Sequence, residues 1–101
     1  MPQVTVVYWR DIPAQVLVGK GRRAAKLPLS ERFEQAIDRA AMRSGASETD
    51  AYLADWRKVA EGETEGEDAA VAAARAAALE AEWTPERLKA AALAGGTEER
   101  V

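Results

Sequence analysis

The sequence predicts an α+β fold: a two-layer sandwich in which a small, three-stranded, mainly antiparallel sheet carries helices on one face. Three observations point there. Val4–Arg10 is dense in β-branched and aromatic residues, and a second such run follows across a Pro-containing turn. Phe33, Ala36, Ile37, Ala40 and Ala41 recur at the spacing of one buried helix face. The C-terminal third is rich in Ala, a strong helix former, and is punctuated by Thr84-Pro85 and Gly95-Gly96.

The expected element order is β-β-α-β-α-α. In the first strand Val4, Val6 and Tyr8 share one face and Val7 and Trp9 the other, so the strand is expected to be central and covered on both sides. Asp11–Ala14 has turn chemistry, with Pro13 fixing φ, and Gln15–Lys20 is the second strand of a hairpin. Gly19 and Gly21 suit a bulge or a close backbone approach near its end. Lys20–Lys26 is a basic connection. Leu27–Ser30 then leads into the first helix, with Ser30 at the N-cap, Glu31 at the positive end, Arg43 in the last turn and Gly45 at C′. Arg32, Gln35 and Arg39 point away from its buried stripe.

Asp50–Val59 fits two patterns. Tyr52, Leu53, Trp56, Val59 and Ala60 make a helical stripe, with Ser47 and Asp50 as a capping box. As a strand, the segment would supply the partner that an isolated hairpin lacks, and on that tertiary ground a strand is expected. Glu61–Asp68 holds five acids and two Gly in eight residues and reads as a solvated loop. Ala69–Trp83 is the second helix, with Ala72, Ala76, Leu79 and Trp83 as its face. Thr84 caps a third helix that starts at Pro85 and runs to about Ala94. Residues 1–94 form one domain, and residues 95–101 are expected to be a flexible tail.

Composition narrows the chemistry. The chain has 101 residues and neither His nor Cys, which removes thiol nucleophiles, disulfides and every His-based metal site or triad. No cofactor and no enzymatic activity are expected. Met1–Arg10 has no basic stretch followed by an apolar one, so no signal peptide is read, and no run is apolar enough to span a membrane. A soluble, cytoplasmic protein is expected. The net charge of −3 conceals a gradient: +4 over residues 1–30, −1 over 31–60 and −6 over 61–101. Such polarity can serve an interaction surface, or simply draw the two halves together.

The candidate sites follow from that polarity. Arg10, Lys20, Arg22, Arg23 and Lys26 could clamp an anion or a partner, because guanidinium groups bind phosphate and carboxylate bidentately and Gly19 and Gly21 permit close approach. Tyr52 and Trp56 are candidate aromatic contacts on a partner surface, whereas Trp9 is expected in the core. The acidic loop lacks the spacing of a calcium loop, and no metal site is expected.

The run Val4-Thr-Val-Val-Tyr-Trp-Arg-Asp-Ile-Pro-Ala-Gln-Val16 is followed by Gly19-Lys-Gly-Arg-Arg-Ala-Ala-Lys26 and Leu29-Ser-Glu-Arg-Phe-Glu-Gln-Ala-Ile-Asp-Arg-Ala-Ala41. Together with Tyr52-Leu-Ala-Asp-Trp-Arg57, these stretches resemble the small bacterial "virulence factor" domain family over roughly residues 3–90. The resemblance brings no reaction and no site residues with it. It implies an accessory role, and for short members one beside folate and corrinoid one-carbon enzymes. The function expected is therefore a non-enzymatic accessory or regulatory domain bound to a larger protein. The alternative is small-anion or nucleic-acid binding through loop 20–26. The acidic net charge disfavours nucleic acid, and the sequence leaves the oligomeric state open.

Overall fold

β-Branched residues dominate the first two strands, and pairing completes what propensity begins. The computed structural model describes residues 3–19, 24–45 and 53–97. In chain order these form β1 (Gln3–Trp9), β2 (Ile12–Val18), β3 (Ala25–Pro28), α1 (Glu31–Arg43), β4 (Trp56–Glu63), α2 (Asp68–Glu82) and α3 (Pro85–Leu93). The fold is α+β with an antiparallel sheet, but the described sheet has four strands rather than three, in the order β3-β2-β1-β4. The first strand lies between the second and the strand that follows α1, as expected. The added strand is β3, which covers the end of the expected basic connection Lys20–Lys26 and the start of the expected lead into the first helix.

Other boundaries also move. The β1–β2 turn is Arg10-Asp11, since Trp9 pairs with Ile12, and Pro13 lies within β2. Pro has no N–H to donate, and the ladder accommodates it at an irregularity: Val7 faces Gln15, Tyr8 faces Pro13, and Ala14 is the extra residue. The strand expected over 50–59 starts only at Trp56; Leu53 and Ala54 are helical. It then continues through Glu63, so the first part of the expected acidic loop is strand. Gly19 follows β2 at φ 106, while Gly21 is outside the described residues.

Val4 pairs with Val18 and Val6 with Val16, which puts the four on one face. They join a single core with Phe33 and Ile37 of α1, Ala72, Ala76 and Leu79 of α2, and Leu88 of α3. The expected stripes of α1 and α2 are the buried ones, including Trp83 just past α2. Val7 and Trp9, on the other face of β1, are 7% and 0% exposed, so β1 is covered on both sides there. α2 packs across β2 and β3, α1 packs on β2, and α3 packs on α1.

Two capping expectations meet different outcomes. Thr84 caps α3, its hydroxyl accepting from the Arg87 N–H at 3.2 Å. Ser30 occupies the N-cap of α1 but caps nothing with its side chain. Its N–H and hydroxyl instead donate to the Glu80 carboxylate at 2.8 and 2.9 Å. Nor does the tail begin at residue 95: Gly95 and Gly96 are buried, and the Gly96 carbonyl accepts from the Asp11 N–H at 2.9 Å. Among the described residues no helix is long and apolar enough to cross a membrane.

Candidate functional site

Of the expected site residues, the structure describes Arg10, Lys26 and Trp56. Arg10 is turned inward. Its Nε and Nη2 donate to Asp55 Oδ2 at 3.0 and 2.9 Å, and its Nη1 donates to the Gly95 carbonyl at 2.7 Å. The backbone N–H of Arg10 reaches the Asp55 carbonyl, and its own carbonyl accepts from Arg57 Nε at 2.8 Å. Its guanidinium also lies 4.8 Å from the Trp9 ring. A cation held at three corners by one carboxylate and one carbonyl is a clamp for the β1–β2 turn, an intramolecular role that the sequence grouping did not anticipate.

Lys20, Arg22, Arg23 and Tyr52 lie outside the described residues. Lys26 is exposed on β3, an edge strand of the described sheet. Trp56 opens β4 opposite Trp9 and is half-buried against the core, so only part of its ring surface is open to a partner. Trp9 is fully buried, as expected for a core residue. Arg75 of α2 holds Glu61 of β4 in a bidentate pair at 2.7 and 2.9 Å, and that bond raises the Arg75 pKa. Among the described residues no group of three or more His, Cys, Asp or Glu could hold a metal ion.

A site that the sequence did not disclose lies between α1 and α3. The two helices pack along Ala-rich lines and leave a groove of about 550 Å³, within the usual range for ligand-binding clefts. Its floor is apolar: Ala36 from α1 and Leu88 and Ala92 from α3. Met42 and Leu93 stand at one end, 65% and 53% exposed. Its walls are cationic, with Arg32, Arg39 and Arg43 on α1 and Lys89 on α3. Gln35 and Pro85 complete the lining, and no acidic side chain contributes. The groove thus sets an apolar floor between cationic walls, with no carboxylate in its lining.

Two of the four cations are fixed by the fold. Arg32 was expected to point away, but it reaches the end of α2: Nη1 donates to the Trp83 carbonyl at 2.6 Å, and Nη2 to the Glu80 carbonyl at 2.7 Å and Oε1 at 3.1 Å. Burial alone would raise the Glu80 pKa. The Ser30 backbone and hydroxyl, together with Arg32, outweigh it and hold the carboxyl below its ordinary value of 4.5. Arg43 Nε donates to the Leu93 carbonyl at 2.8 Å and ties the end of α1 to that of α3. Arg39 and Lys89, facing from opposite walls, form no ion pair with any described residue. The signal available in sequence was faint: Met42 and Leu93 are large apolar residues off the buried stripes of their helices.

The family model described as "Virulence factor" matches residues 7–91, from the middle of β1 into α3. No curated protein and no solved structure matches the chain. The matched span includes every cation of the groove and most of its floor.

Proposed function

Because the chain belongs to the Virulence factor family, we propose that it is a non-enzymatic accessory domain that docks on a larger protein through the groove between α1 and α3. One observation carries this: Met42 and Leu93 stay open to solvent beside an apolar floor, while most large apolar side chains among the described residues are buried. Leaving such surface in water is unfavourable by roughly 25 cal/mol per Å², and apolar patches rimmed by polar groups commonly mark interaction sites. The place of action in this proposal is the cytoplasm. The resemblance directs the search for the partner to folate and corrinoid one-carbon enzymes. Loop 20–26 is a separate candidate surface, of which Lys26 is exposed.

The test is an RNase-treated affinity purification of the tagged chain from its own cytoplasm, run with three proteins: wild type, Leu93→Asp, and Arg22→Ala with Arg23→Ala. The expected result is one stoichiometric protein with wild type and with the double variant, lost with Leu93→Asp while that variant keeps its circular dichroism and melting temperature. A partner retained by Leu93→Asp and lost by the double variant would transfer the function to loop 20–26. Salt-sensitive nucleic acid, in place of a protein, would overturn the accessory role.

A further inference from the structure

We propose that the α1–α3 groove receives an acidic amphipathic helix of the partner, laid between the two helices as a third. This rests on the groove being the docking surface, and it adds the chemistry of what docks. Its first support is shape. Arg32, Ala36, Arg39 and Arg43 follow one line along α1, and Leu88 and Ala92 follow one along α3. Two helical stripes side by side present ridges and a channel, and a third helix fills such a channel by ridges-into-grooves packing. An extended peptide gains less here, because the backbone groups within α1 and α3 are already hydrogen-bonded inside their own helices and offer no ladder. The small Ala36 and Ala92 leave room for incoming side chains, and unbranched Met42 can adapt to them. The 13 residues of α1 span about 20 Å at 1.5 Å per residue, so the seat suits a helix of roughly three to four turns.

The second support is charge. A chain of net charge −3 gathers four cations around this groove and puts no acid in its lining. Glu31, Glu34, Asp38 and Glu86 lie on the same two helices but do not line the groove. Arg39 and Lys89, one on each wall, are not committed to any described acid, so carboxylates on both flanks of an incoming helix would meet a cation. The complement is a helix with apolar residues at i, i+3 or i+4, and i+7, flanked by Glu or Asp. A channel between helices is a poorer match to a flat anionic membrane, and its apolar floor is a poorer match to nucleic acid.

The experiment uses the full chain and four capped peptides of about 14 residues, read by fluorescence anisotropy. One carries Leu on a helical stripe with Glu elsewhere. In the second, Lys replaces Glu. The third is a scramble of the first without a stripe, and the fourth has Pro at the centre. The Glu helix should bind about ten-fold or more tighter than each of the others. Its affinity should fall several-fold as salt rises from about 50 to 300 mM. Arg39→Glu with Lys89→Glu, both exposed positions, should reverse the preference toward the Lys helix at unchanged melting temperature. Equal binding of the Glu and Lys helices, equal binding of the scramble or the Pro peptide, or no binding of any peptide overturns the inference. So does binding of RNA or anionic vesicles in their place. A photo-crosslinker at position 42 separates this inference from the docking proposal. A crosslink to the purified partner with no acidic preference among the peptides sinks the inference alone; no crosslink sinks both.

Discussion

Arg10 holds φ at 54, a left-handed conformation that costs a residue with a Cβ about 1 kcal/mol or more. The clamp on Asp55 and Gly95 offsets that cost, and it needs the planar fork of Arg. Arg10→Lys keeps the charge but not the fork, and the pair is partly solvated; a loss of about 1–2 kcal/mol is expected, read as a lower urea midpoint at constant slope. An unchanged midpoint would mean that the clamp adds nothing. Glu80 gives a pH test. Its folded pKa lies below 4.5, so its stabilisation is complete above 4.5 and disappears as pH falls through the folded value. Glu80→Gln should therefore destabilise by about 1 kcal/mol at pH 7, and the gap to wild type should close in acid as the native carboxyl protonates. A gap that persists at pH 2 would point to packing rather than charge.

At the scale of elements, helices were legible where one stripe met the core. Ala72, Ala76 and Leu79 are buried along α2 at helical spacing, and the small Ala side chains let this helix lie close to β2 and β3. Ala76→Leu should then cost about 1–3 kcal/mol by overpacking, while Ala77→Leu on the exposed side should leave the melting temperature nearly unchanged. Similar effects at both positions would mean that α2 does not seat as described. The strands at the two edges were less legible, for physical reasons. β3 is four residues with Lys26 and Pro28 exposed, and in β4 only Trp56 and Val59 are half-buried. β3 alternates in burial but over four residues only, too short a run to read, while β4 has no period-two pattern, and its charges make it read as loop. The groove was hidden for another reason. Arg39 and Lys89 are 50 residues apart, and only the packing of α1 on α3 makes them face each other.

Across the whole molecule the charge gradient acts partly inward. Arg32 and Arg43 from the first half fasten α1 to the end of α2 and to Leu93, and Arg10 fastens the first hairpin to Gly95. The chain thereby closes on itself: the segment after α3 returns to the turn at its beginning, beyond the end of the family match at residue 91. Gly96 makes this closure possible. It holds φ 96, and a Cβ there would stand 2.7 Å from Cζ3 of the buried Trp9. A chain ended after Ala94 loses the carbonyl acceptors for Arg10 and Asp11 and uncovers part of the Trp9 ring. It should be less stable by about 2–4 kcal/mol, at roughly 1 kcal/mol per hydrogen bond plus the exposed aromatic surface, with a red-shifted tryptophan emission. Gly96→Ala should reproduce much of that loss within the full-length chain, through backbone strain and collision with the ring. A chain ended after Thr97 keeps both carbonyls and is the reference for that loss. If the chain ended at Ala94 matches it, the closure is not part of what holds the domain together, and the boundary read from sequence at residue 94 stands.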